Sequence, residues 1–242
     1  MLLAEEPLAR SVVWGHPWQV GTAAHWCALT QYGVIDGVLA DGPHRHRLGT
    51  TLREEVAACL LGGFGLPFEL GLAAFRAVRD SGALAEGAIV SATDLEVLLR
   101  QPLQVGGGTR RYRFPRQRSQ RLAAALAFLD QEPPPDDLVE VRDWLTSAPG
   151  IGPKTASWIV RNHYGCEDVA VLDIHVLRAG ASAGVFDRGW TAARSYYVLE
   201  RLFLAWAEHG GVSPADLDAV IWAEQALAAR RPGRRRTTTI GN

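Results

Sequence analysis

The chain has 242 residues, 48% apolar and 21% charged, with a formal net charge of −1, which fits one large globular domain or two small lobes around a buried core. No apolar run approaches the ~20 residues of a membrane span and no signal peptide stands at the start, so a cytoplasmic protein without membrane contact is expected. Cys27, Cys59 and Cys166 are scattered, without disulfide or zinc spacing, and no metal site is expected from them.

The first fifty residues read as irregular. Trp14, Trp18 and Trp26 are read as core covers, with a short helix over Thr22–Gln31 and a turn-rich loop from Asp36 to Gly49. His44 and His46 in that loop have only Asp41 as a nearby ligand type, so the loop is read as solvated. Thr51-Leu52-Arg53-Glu54 forms a capping box opening a helix through Leu61. Gly62-Gly63-Phe64-Gly65 breaks that helix, and Pro67 starts another to about Asp80. Thr93-Asp94-Leu95-Glu96 caps a further helix to about Arg100.

Gly106-Gly107-Gly108 reads as a flexible link. Arginines at 110, 111, 113, 116, 118 and 121 follow, interleaved with Tyr112 and Phe114, and no acid occurs from Thr109 to Leu129. Such a cluster, Arg113 and Arg118 in particular, suits DNA phosphates, the alternative being a solvated face. Glu132 to Asp137 is a proline-rich, stiff linker.

Asp137 to Ser147 then has helical spacing, with Leu138, Val141, Trp144 and Leu145. After it comes Ala148-Pro149-Gly150-Ile151-Gly152-Pro153-Lys154-Thr155-Ala156, and Thr155 to Val160 resumes a helix. Gly150 and Gly152 permit a sharp turn with uncovered amides, and Pro153 suits a first helical turn. Helix, hairpin, helix is expected, with bare amides and a positive helix end suited to a phosphate oxygen. Lys154 is the only lysine of the chain, against 24 arginines among the 25 basic residues. Lysine alone of the two can lose its proton and form a Schiff base. Val169 to Leu172 is a short apolar run delivering Asp173, nineteen residues after Lys154, to the start of a helix it would cap.

Thr191 to Glu208 reads as a long helix with Tyr197, Leu199, Leu202, Phe203 and Trp206 mostly in the core, and Ser213-Pro214 opens the last one. Five arginines between Arg230 and Arg236 make a basic tail, disordered or tracking phosphates. Strand signals are nearly absent, and an all-α fold is expected.

The run from Pro149 to Ala156, followed by Val171-Leu172-Asp173-Ile174-His175, resembles the signature of the helix-hairpin-helix DNA glycosylases with a Gly/Pro-rich loop and an essential aspartate. The resemblance implies a two-lobed helical bundle with a DNA cleft between the lobes. Residues 1–50 would pack with the C-terminal lobe, and 51–180 would form the helical lobe carrying the helix-hairpin-helix at about 137–164. The C-terminal helices would span 181–229 and the basic tail 230–242. It further implies Lys154 as the nucleophile and Asp173 as its essential carboxylate. Gly150, Gly152, Thr155 and His175 would contact DNA, His175 being equally readable as a buried structural histidine. Trp158, one helical turn beyond Lys154, either stacks on a flipped base or belongs to the core. Trp222 with Glu224 and Gln225 offers a second aromatic beside polar groups able to read a base edge.

Endonuclease III and the adenine-specific relatives carry C-terminal cysteines for an iron–sulfur cluster. None follows Cys166 here, so no cluster and no other cofactor is expected, while a structural cation at the hairpin carbonyls stays open. Glu55 to Gly63 is similar to a helix of the smaller 8-oxoguanine glycosylases, with glycines where polar residues are usual. The implied activity is removal of 8-oxoguanine from double-stranded DNA with AP-lyase strand cleavage, by a monomer at the nucleoid. The alternatives are a bifunctional glycosylase for oxidised pyrimidines or another damaged purine, and a non-catalytic helix-hairpin-helix module.

Overall fold

A computed structural model describes residues 12–230 apart from 37, 38, 40, 41, 43 and 64. The basic tail beyond Arg230, Asp41 of the first loop and Phe64 of the glycine loop lie outside the described residues. Among the described residues ten helices and one short hairpin follow in chain order: α1 Ala23–Ile35, α2 Leu52–Leu61, α3 Phe68–Asp80, α4 Ala92–Arg100, β1 Leu103–Val105, β2 Gly108–Arg110, α5 Pro115–Leu129, α6 Leu138–Thr146, α7 Pro153–Tyr164, α8 Ile174–Ser182, α9 Ala192–Gly210 and α10 Pro214–Arg230. Among the described residues, no helix is long and apolar enough to cross a membrane.

Most starts are chemically marked. Thr51 Oγ1 accepts from the Glu54 amide before α2, Asp137 from the Val139 and Glu140 amides before α6, and Asp173 from the His175 and Val176 amides before α8. The cap of α4 is Ser91, whose oxygen accepts from the Asp94 amide, so the helix begins ahead of the expected Thr93. Helices α7 and α9 stop at Gly165 and Gly211, which take left-handed φ of 69° and 61°.

Apolar faces collect in two cores. One joins α2 through α7 around Phe75, Leu95, Leu99, Leu122, Leu145 and Ile159. The other gathers α1 and α8 to α10 around Trp26, Val176, Leu199, Phe203, Leu217 and Ile221. The cores divide between Val169 and Ala170, so α8 belongs with the C-terminal helices and the division falls earlier than residue 180. Residues from the N-terminal segment, Ala23, Trp26 and Cys27, lie in this second core.

Three local expectations are corrected. The triple glycine is no link: Gly106 and Gly107, at φ 58° and 78°, turn an antiparallel hairpin pairing Leu103 with Arg110. Trp18 is 75% exposed and stacks on His16 at 4.6 Å instead of covering the core. The loop at 44–49 is anchored, not solvated. Arg45 binds Asp216 at 2.7 Å and Glu167 at 3.2 Å, His46 meets Asp216 at 3.3 Å, and Arg47 Nη2 donates to the His163 carbonyl at 2.6 Å.

Candidate active site at the helix-hairpin-helix

Helix α6, the turn at 147–152 and α7 form the expected hairpin. Buried Ile151 pins it, its amide donating to the Ala148 carbonyl at 3.1 Å. Gly150 has φ +89°, and a Cβ there would stand 2.7 Å from Arg121 Cγ, so only glycine fits. Gly152 is the N-cap of α7, exposed, without a side-chain cap, and a Cβ there would meet nothing within 4 Å. The uncapped amides of the first turn therefore face open space, with Thr155 half-buried beside them.

Lys154 is half-buried on that turn, its Nζ 5.3 Å from the centroid of the Trp158 ring. The glycine loop after α2 crosses above it: a Cβ built on Gly63 would lie 4.0 Å from Nζ. Gly62 and Gly71 give the close approach, since a Cβ on Gly71 would strike the Gly62 Cα at 2.9 Å. Trp158 packs into this corner with Leu48, Ala58, Gly62, Phe68 and Leu72, which makes its ring a wall of the site and a partner of the first core together. Trp222 approaches the same corner from α10, edge-on to Phe68 with centroids 5.9 Å apart. Phe68 thus meets Trp222 and shares with Trp158 the lining of one small cavity.

Asp173 is half-buried, with Oδ1 accepting from the His175 amide at 2.8 Å and the Val176 amide at 2.9 Å. No hydrogen bond among the described residues engages Oδ2, so the cap fixes the carboxylate and leaves one oxygen for chemistry. His175 is half-buried, its Nδ1 enclosed and without a partner, and its carbonyl accepts from Gln225 Nε2 at 3.3 Å. Gln225 therefore docks α10 on α8, while Glu224 is exposed.

The arginine cluster divides. Arg113 is exposed, its guanidinium 5.1 Å from the Phe114 ring, and Nη1 donates to the Gly65 carbonyl at 3.4 Å. Arg118 turns inward, Nη1 donating to the Leu60 carbonyl at 2.7 Å beside the Tyr112 hydroxyl on the Leu61 carbonyl. It caps the C-terminus of α2 rather than standing free for a phosphate.

Sequence reasoning missed the buried polar groups beneath the hairpin. Glu200 of α9 binds Arg142 of α6 at 2.7 Å, Ser157 Oγ of α7 at 3.3 Å and the Ala170 amide at 3.0 Å. Glu55 accepts from the Leu48 and Gly49 amides, both at 2.9 Å, and from Asn162 Nδ2 at 2.8 Å; burial pushes its carboxyl up. Arg161 of α7 pairs with Asp218 of α10, whose carboxyl burial raises to about 6. The available signal was an ionisable residue at an apolar helical position, such as Glu200 between Leu199 and Phe203. Among the described residues no group of three His, Cys, Asp or Glu could hold a metal ion.

A family model described as 8-oxoguanine DNA glycosylase matches residues 72–212, more than half of the chain. An 8-oxoguanine DNA glycosylase/AP lyase of Thermotoga petrophila is 34% identical over 134 residues, 53% of this chain and 61% of that protein, and its counterpart in Thermotoga maritima matches equally. The match thus spans less than two thirds of these relatives. Among solved structures, the 8-oxoguanine DNA glycosylase of Thermotoga maritima aligns with a TM-score of 0.51 and 24% identity, over 84% of this chain and 88% of that one. The Methanocaldococcus jannaschii 8-oxoguanine glycosylase/lyase, in complex with a 15mer DNA containing 8-oxoguanine, aligns with a TM-score of 0.64 and 20% identity, over 84% and 96%. These likenesses establish a shared fold.

Proposed function

The chain belongs to the 8-oxoguanine DNA glycosylase family, and on that premise we propose that it excises 8-oxoguanine from duplex DNA and cuts the strand through a Schiff base on Lys154. The observation that carries the reading is the placement of Lys154 on the uncapped first turn of α7, its ammonium on the Trp158 ring, beneath the glycine loop. What supports the substrate is the activity named for the Thermotoga relatives and the damaged DNA named for the archaeal neighbour.

The target nucleotide leaves the stack, because its sugar carbon is unreachable inside a duplex. Amides at Gly150, Gly152 and Thr155 hold a phosphate beside the lesion without reading sequence, and Arg113 adds charge. Neutral Lys154 Nζ attacks C1′ as the C1′–base bond breaks, and the base leaves with its electron pair and takes up a proton. The Asp173 carboxylate stabilises the positive charge developing on the sugar. Ring opening gives a protonated imine, which acidifies the C2′ proton; loss of that proton expels the 3′ phosphate by β-elimination. Trp158 and Trp222 flank the base, with exposed Glu224 at its edge and His175 at the strand, while Gln225 holds α10 in place behind them. No cofactor enters these steps. Every group lies on one chain, so a monomer suffices, and the substrate places its work at the cytoplasmic nucleoid.

The test is release of free base from duplexes carrying either 8-oxoguanine opposite cytosine or an oxidised pyrimidine. Release of 8-oxoguanine alone is expected. Release of the pyrimidine alone would keep the chemistry and overturn the substrate; tight binding without any release would leave a binding module.

A further inference from the structure

One buried ion pair beneath the hairpin has no part in those steps. Asp218 Oδ2 accepts from Arg161 Nη1, and each side chain is only 9% exposed. Arg161 follows Lys154 by seven residues and Trp158 by three on α7, so the three share one face. On α10, Asp218, Trp222 and Gln225 also recur at helical spacing. That stripe is fastened at three points: Asp218 on α7, Trp222 on Phe68 of α3, and Gln225 on the His175 carbonyl of α8. Enclosed in this way, the Asp218 carboxyl cannot reach a phosphate or a flipped base. Any effect it has on the reaction passes through its neighbours. The charges acting on it are Arg161 and Lys154 from α7 and Asp173 from the head of α8. From α2, Cys59 and Glu55 also face them, Cys59 feeling the charges of Glu55, Arg161 and Lys154, and Glu55 reaching α7 through Asn162, whose amide oxygen accepts from Arg161 Nη2 at 2.9 Å.

We propose that Asp218 is a positioning residue: by holding and neutralising Arg161 it sets the charge balance beneath Lys154 and Asp173, and so the pH at which Lys154 begins to attack. The inference rests on the Schiff-base reading above. Lys154 Nζ must release a proton before it can bond to C1′. An unpaired Arg161 cation would repel the ammonium and drive that proton off at lower pH. Without Arg161 the buried Asp218 carboxyl itself keeps a proton further up the range, and where it ionises it would hold the lysine proton on to higher pH. Buried charges act strongly because little water screens them.

The experiment is single-turnover borohydride trapping of the full-length protein on a duplex with a preformed abasic site, from about pH 5 to pH 9, which brackets the usual range for a catalytic base. A preformed abasic site removes base recognition from the readout. In Asp218→Asn the acid limb of the rate profile moves to lower pH by about one unit, and in Arg161→Gln, where the buried carboxyl ionises less readily, to higher pH by a smaller amount. Asp218→Glu and the neutral double variant Asp218→Asn/Arg161→Gln restore the wild-type limb. A limb that stays in place in both single variants, or moves the same way in both, overturns the proposal. Should one single variant not fold, the sign of the other decides. Should neither fold, the double variant decides, and a displaced limb there contradicts the proposal. No adduct with the unaltered protein would overturn the Schiff-base reading itself, and this inference with it.

Discussion

Lys154 and Trp158 stand one turn apart on α7, with the lysine Nζ 5.3 Å from the centroid of the indole. The ring also lies against Gly62, where a Cβ would come within 3.4 Å of it. One residue thus supports the reacting amine and seals the joint between α2 and α7. Trp158→Ala should cost about 3 kcal/mol by opening a cavity in that corner, read as a fall in melting temperature. Trp158→Phe keeps an aromatic wall and should retain most of the stability and most of the trapping on an abasic duplex. Loss of trapping in the folded phenylalanine variant would give the indole a larger part in the chemistry than its packing implies.

Gly150 and Gly152 separate a folding role from a binding role. Gly150→Ala forces a side chain onto φ +89° and against Arg121, and should cost about 1–3 kcal/mol of stability. Gly152→Ala meets no obstacle, so stability should hold within about 0.5 kcal/mol. Its methyl group would nonetheless shield the amides of the first turn, and DNA affinity should fall. Thermal melts paired with DNA titrations check both; equal effects of the two variants would erase the distinction.

The two arginines assigned different jobs should differ in salt dependence. Arg113→Ala should reduce the slope of log K against log salt by about 1, as for one lost phosphate contact. Arg118→Ala should leave that slope unchanged and lower stability, because it strips the Leu60 carbonyl of its donor.

His163 gives a pH test of the fold. Burial, with Arg47 and His44 nearby, lowers its ring to about 4. The unfolded chain binds the proton more readily, so this residue adds stability near neutral pH that is lost as pH falls from about 6.5 towards 4. Asp218, raised to about 6 by burial, works oppositely: its charged form is disfavoured in the fold, so it weakens stability as pH rises from 3.8 to about 6. The two overlap, and the informative quantity is the difference between variants. His163→Phe should flatten the acid loss by about 2 kcal/mol relative to the unaltered protein, as followed by denaturant melts across that range. An unchanged acid limb would contradict the assignment.

How far the molecule was legible in its sequence depends on where the information is stored. Caps are local, so Thr51, Asp137 and Asp173 mark α2, α6 and α8 within a residue. The hairpin glycines and Lys154 sit in one contiguous run and could be placed without tertiary knowledge. The turn at Gly106 and Gly107 is hard to see in the sequence because a two-residue turn is recognised by the strands it joins, and three-residue strands leave almost no alternating pattern. Arg118 belongs to a cluster whose composition suits phosphate, yet its partner is the end of a helix 58 residues earlier. The loop around Arg45 failed for the same reason, its acids Glu167 and Asp216 lying more than a hundred residues away. Long-range polar pairing leaves no local trace, and the Arg161–Asp218 pair is of that kind.

In the proposed chemistry one amine of this chain bonds to the sugar of a damaged nucleotide. Borohydride trapping on a duplex carrying 8-oxoguanine opposite cytosine, with peptide mapping of the adduct, tests it directly. The chain has a single lysine, so a reduced Schiff base can lie only on Lys154 or on the terminal amine. An adduct on the peptide containing Lys154 is expected, absent in Lys154→Gln while DNA binding persists. An adduct on the terminal amine, or undiminished trapping in Lys154→Gln, would contradict it.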